Sequence, residues 1–203
     1  MTIERPVGVA GLEVLNSLPA RAARAELLTC CASRRWADEV AAGRPYPGLP
    51  ALRSASAVAL AARDWAGIRE ALAAHPRLGE RPQGERPQGE RPQGERPQGE
   101  RSEDDGREAA WSRGEQSGAD GAAAEVRAAL AAGNRAYEGR FGHVFLLCAT
   151  GLSAAEMLAA LRARLGNDTG TEQSVVRYEL TRIVDLRLAK LLDVIGEANG
   201  RTA

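Results

Sequence analysis

Lysine is nearly missing from this chain of 203 residues: Lys190 is the only one among 27 basic side chains. Schiff-base chemistry therefore has a single candidate, and anion recognition falls to arginine, whose planar guanidinium pairs with carboxylates two bonds at a time. Histidine is scarce too, with only His75 and His143, and they form no HxxxH pair. The three cysteines, Cys30, Cys31 and Cys148, give neither a CxxC spacing nor an even disulfide framework. They are read as small buried side chains, and no metal site is expected. The 27 basic residues are balanced by 27 acidic ones, which argues against a broad nucleic-acid footprint and leaves room for an individual anion pocket. No basic leader precedes a long apolar run, and no stretch is long and apolar enough to span a bilayer. The expectation is a cytoplasmic protein with no membrane partner.

Aromatics make up only 4% of the chain against 44% apolar residues, so the interior is built mainly from Ala, Leu and Val. That composition favours closely packed helices over a sheet. "AARAELLTCCAS" (22–33) reads as a helix, and "RRWADEVAAG" as a second that Gly43 and Pro45 end. "RSASAVALAARDWAGIREALAAHP" reads as one long helix or two consecutive ones, with Val58, Ala61, Trp65, Ile68 and Leu72 at helical spacing. Pro76 stops that run and leaves His75 at its C-terminal end.

Residues 81–100 are four copies of RPQGE. Each copy has proline, glycine, one positive and one negative charge, and no aliphatic residue, so the repeat cannot supply a core face. It reads as a solvated linker, within a polar stretch from Gly79 to about Arg107. Order returns at "WSRGEQSG", followed by a helix carrying Val126, Leu130, Tyr137 and Phe141 near one face. "HVFLLCATG" is too short and β-rich for a typical helix. In a helical protein it predicts an extended buried segment whose backbone groups need partners. Ser153 and Glu156 have capping-box spacing, and a final helix runs from about Thr171 to Ile195 with Val176, Leu180, Ile183, Val184, Leu191 and Val194 in its stripe.

Arg187 falls inside that stripe, where its charge snorkels, pairs with a carboxylate or meets an anionic ligand. His75 either caps helix carbonyls or serves a site. Ser112 and Glu115 have capping-box spacing, Gln116 is compatible with simple exposure, and His143 suits an edge or a pocket. Spacing alone identifies no enzyme here.

Four stretches, taken in order, carry a resemblance: "HPRLG" (75–79), "SRGEQSG" (112–118), "NRAYEGRFGHVFLLCATG" (134–151) and "ELTRIVDLRLAKLL" (179–192), with "RRWADEVAAGRPY" fitting upstream. Together they resemble the 2-oxo-4-hydroxy-4-carboxy-5-ureidoimidazoline (OHCU) decarboxylases over nearly the whole chain outside the repeat. The resemblance implies an all-α, compact multi-helix bundle. It would form a single domain over 1–203, interrupted by a flexible repeat insertion at 80–107, and assemble as a homodimer. It implies decarboxylation of a small ureidoimidazoline to S-allantoin and carbon dioxide, without a cofactor. By position in the motifs, His75, Glu115 and Arg187 would be catalytic, with a hydrogen bond between His75 and Glu115 assisting the histidine. Pro76, Ser112, Gln116, Phe145, Leu146, Leu147, Cys148 and Ala149 would contact substrate. His143 departs from the family's aromatic or apolar residue and is read as a local packing change. The repeat lengthens the path from His75 to Glu115. A noncatalytic helical interaction protein and an enzyme acting on another ureide are the competing readings.

Overall fold

The computed structural model describes residues 7–78, 107, 110, 111, 114, 115, 117 and 124–200. Among them eight helices form the architecture and no strand occurs, so the all-α expectation holds. The helices are α1 (Val7–Ser17), α2 (Ala20–Leu28), α3 (Arg34–Ala42), α4 (Leu49–Ala61), α5 (Trp65–Leu72), α6 (Ala124–Phe141), α7 (Ala154–Arg164) and α8 (Thr169–Gly200). The RPQGE repeat lies outside the described residues, as does the expected insertion apart from Arg107.

Local chemistry sets the boundaries. α2 ends at Leu28, earlier than the sequence suggested, because Thr29 turns its hydroxyl back to the Glu26 carbonyl at 2.7 Å and Cys30 N–H bonds to Leu27 in a tight turn. The long run ending at Pro76 is two helices, since the Asp64 side chain accepts the Gly67 N–H at 2.8 Å and starts α5 anew. That break changes the buried face. Val58 is 67% exposed and Ala61 also faces out, whereas Leu52, Ser56, Ala59 and Leu60 are buried. Trp36 of α3 explains the polar member of this set, because its indole N–H reaches the carbonyl and hydroxyl of Ser56 at 3.2 and 3.3 Å.

Two hydrophobic clusters result. The larger gathers α1 to α5 around α8, with Leu15, Leu27, Trp36, Leu52, Ile68 and Leu180 almost wholly removed from water. Each such aliphatic side chain contributes about 1.5–3 kcal/mol relative to exposure. The smaller cluster joins α6 and α7 through Leu130, Tyr137, Met157 and Leu161. Ser153 and Glu156 form the expected capping box at the start of α7.

α8 has 32 residues, a rod of about 48 Å at 1.5 Å per residue, and it backs the larger cluster. α1 lies against it so closely that a Cβ built on Gly11 would stand 1.8 Å from the Leu192 carbonyl oxygen. Among the described residues no helix is long and apolar enough to cross a membrane.

Candidate active site

α5 finishes at Leu72, and the chain turns through Ala73 and Ala74 so that the His75 N–H bonds to the Leu72 carbonyl at 3.0 Å. The His75 ring is buried, and its Nδ1 lies 3.0 Å from the Ala71 carbonyl. A carbonyl only accepts, so Nδ1 carries the proton and Nε2 of the neutral ring presents a lone pair. Nε2 is buried and has no hydrogen-bond partner among the described residues. Burial, followed by the nearby Arg187 charge, lowers the pKa of His75 from 6.5 to about 4. At neutral pH this imidazole is an uncharged acceptor.

The residues after it are tied down. Arg77 grips the Glu138 carboxylate of α6 with contacts of 2.6 and 2.8 Å, and that pairing holds the Glu138 carboxyl below its usual range. Asn134, also on α6 and 1% exposed, donates to the Leu78 carbonyl at 2.8 Å. Across the site, Arg187 of α8 is wholly buried and takes the Glu115 carboxylate in a fork: Nε to Oε1 at 3.2 Å, Nη2 to Oε2 at 3.1 Å. Lys190, one turn further along α8, donates to Glu115 Oε1 at 3.2 Å. Of the three fates open to Arg187 in the sequence, carboxylate pairing is therefore present. The expected hydrogen bond between Glu115 and His75 is not. The carboxylate points to the two cations, while the His75 Nδ1–H is committed to Ala71.

The stretch after α6 is extended and unpaired with any strand, as its composition predicted. Its backbone finds side chains instead: Arg164 donates to the Leu146 carbonyl at 2.6 Å, and Cys148 N–H donates to Glu179 at 2.8 Å. Arg164 also lies over the Phe145 ring at 4.5 Å and pairs with Glu172 at 2.5 Å. Tyr137 donates to the same carboxylate, and burial together with that bond raises the pKa of the phenol. His143 packs edge-on against Trp65 and Tyr137, with ring centroids 5.2 and 5.4 Å apart. This agrees with the packing reading of that position.

His75, Pro76, Glu115, Phe145, Leu146, Leu147, Ala149 and Arg187 line one recess, joined by Leu78 and Ile183. Cys148 is not in its lining and packs into the larger core, with burial raising its thiol pKa. Ser112 and Gln116 lie outside the described residues. The recess encloses about 20 Å³, room for one water-sized group, so a larger ligand must displace part of its wall. A roomier groove of about 170 Å³ runs between α4 and α8, but it contains no histidine, and its Arg53 is paired with Asp185 at 2.8 Å. The smaller recess holds the His75 imidazole and the Arg187–Glu115 pair. Among the described residues no cluster of three His, Cys, Asp or Glu has a metal-holding arrangement.

Fold and recess define an all-helical bundle whose pocket combines a neutral imidazole, a buried carboxylate–guanidinium pair and an extended backbone segment. A family profile described as OHCU decarboxylase matches residues 16–189. The chain belongs to that family.

Solved structures agree. A crystal structure of OHCU decarboxylase in the presence of (S)-allantoin superposes with a TM-score of 0.64 at 26% identity, over 83% of this chain and 97% of that one. The structure of an (S)-allantoin synthase shares the fold at a TM-score of 0.60 and 17% identity, over 89% of this chain and 53% of that one. The Uric acid degradation bifunctional protein TTL of Arabidopsis thaliana is 29% identical over 170 residues, covering 82% of this chain. This chain matches 46%, about half, of the length of that plant protein.

Proposed function

We propose that this protein decarboxylates 2-oxo-4-hydroxy-4-carboxy-5-ureidoimidazoline to S-allantoin and carbon dioxide. The observation that carries the reading is the buried, unpartnered Nε2 of His75 in one recess with the Arg187–Glu115 pair. Family membership supplies the substrate class.

The substrate contains its own electron sink. When the bond from C4 to the carboxylate breaks, its electron pair forms C4=C5, and the π pair of the ring C5=N bond moves onto nitrogen, which takes up a proton. His75 Nε2 accepts the C4 hydroxyl proton, so that C4 becomes a carbonyl as C5 is protonated on one face. A base within hydrogen-bond reach gives such a step about 10²–10⁴-fold. Arg187 steadies the departing carboxylate and the enediolate-like oxygen, with Glu115, itself bonded to Lys190, fixing the guanidinium plane. The backbone at Phe145 to Ala149, with Ser112 and Gln116, orients the ring and ureido amides. A homodimer in the cytoplasm completes this reading.

A coupled circular-dichroism assay tests it. Substrate is generated freshly from urate by the two upstream activities, and this protein is then added. Rapid S-allantoin formation with carbon dioxide release is the expected result. Racemic product at the uncatalysed rate, from folded protein with a working control, would move the chain to a noncatalytic interaction role or another ureide.

A further inference from the structure

An extended chain has two hydrogen-bonding edges, and successive residues turn their N–H and C=O to opposite ones. Leu146 and Cys148 therefore share an edge, and Phe145, Leu147 and Ala149 share the other. On the first edge the usual neighbouring strand is replaced by two charged side chains. Arg164 from α7 takes the Leu146 carbonyl at 2.6 Å, and Glu179 from α8 takes the Cys148 N–H at 2.8 Å. Both are buried, at 8% and 7% exposure. Phe145, Leu147 and Ala149, on the second edge, line the recess together with Leu146, whose carbonyl is already taken by Arg164, whereas Cys148 does not.

We infer that Glu179 and Arg164 are positioning residues that fix the phase of this segment, so that the backbone of Leu147 and its odd-numbered neighbours faces the amides of a ligand in the recess. The inference rests on the functional reading above for the identity of that ligand. A segment without a strand beside it has no ladder to set its register, and a rotation by one residue would exchange the two edges. Two hydrogen bonds from buried side chains to alternate residues hold it against that exchange.

Glu179 has one competing role, an ion pair with Arg182. That contact is 3.4 Å long, three residues along the same helix, and the Arg182 side chain is 47% exposed. Such a pair contributes little, and the shorter bond to Cys148 is the stronger constraint.

Two substitutions separate the roles. Glu179→Gln keeps the length and an acceptor oxygen but loses the charge. Glu179→Asp keeps the charge but withdraws the oxygen by about 1.5 Å, one carbon–carbon bond. For E179D we expect KM to rise about tenfold or more with a smaller change in kcat, and faster exchange of the Cys148 amide hydrogen by NMR on the full chain. For E179Q both kinetic constants stay within about threefold of the parent. The opposite order, or unchanged Cys148 exchange in E179D, overturns the inference. If E179D does not fold, E179Q alone decides, since a charge-based role predicts impaired turnover and an acceptor role does not. Amide exchange needs no turnover, so a parent that fails to decarboxylate would sink the functional reading and leave this test standing.

Discussion

Arg187 and Glu115 stand 72 positions apart in sequence and meet through two parallel contacts of 3.2 and 3.1 Å, with the arginine wholly buried. A buried pair of this kind costs most when one member is lost, because the other keeps its charge without its partner. Replacing Arg187 by Met leaves Glu115 with Lys190 alone. We expect a stability loss of about 3 kcal/mol and loss of turnover. The double variant R187M/E115Q should recover most of the stability and none of the activity. Urea unfolding beside the coupled assay checks both.

His75→Ala should lower kcat by about 10²–10⁴-fold while leaving the helical circular-dichroism spectrum intact. The ring follows the end of α5 and among the described residues bonds only to Ala71, so no helix is initiated by it. Activity equal to the parent would remove His75 from the mechanism.

The depressed pKa of His75 fixes a direction of pH dependence. Between about 6.5 and about 4 the unfolded chain binds a proton at this ring that the folded protein refuses. The ring therefore adds no pH dependence above about 7, lowers stability as pH falls through this window, and exerts its full penalty below about 4, on the order of 3 kcal/mol. Stability of the parent relative to His75→Ala should decline over the same window. The acid limb of kcat/KM should lie near 4, where the folded ring gains its proton, and not near 6.5. A limb near 6.5 would mean that the ring is solvated in the working enzyme.

Deleting residues 81–100 should leave kcat/KM within about threefold of the parent and raise stability by no more than about 1 kcal/mol, because loop closure depends only weakly on length. The structure holds both flanks independently of the repeat. Asn134 and Glu138 secure Leu78 and Arg77 on one side, and on the other Arg107 reaches Glu26 of α2 at 2.6 Å. Thermal unfolding and steady-state kinetics on the deletion variant decide this.

The sequence was legible where one physical signal dominated. The apolar stripe of α8 is correctly placed except for Val194, which is 40% exposed, and the Ser153–Glu156 box marks the start of α7. Arg187 drew notice because a charge sat in phase with Leu180, Ile183 and Leu191. The same reasoning applied to Glu172 and Glu179 would have found the other two buried charges of that helix, since both keep the phase of Val176 and Ile183. Their partners were not legible. That Arg164 meets Glu172, and that Glu179 meets the Cys148 amide, depends on how α7 and α8 flank the extended segment, and no spacing along the chain encodes it. The outward turn of Val58 was hidden for a related reason: Asp64 resets the helical phase, and a stripe drawn through it mixes two helices.

α8 carries Glu172, Glu179 and Arg187 on one rigid rod, so the anchor of Arg164, the hook on Cys148 and the clamp on Glu115 cannot be adjusted separately. A slide or twist of that rod would misalign all three at once. Gly11, with the Leu192 carbonyl oxygen 1.8 Å from where a methyl group would sit, is the bearing on which the rod is seated. Tolerances at the pocket are thus inherited from a contact on the helix beyond Lys190, where nothing reacts.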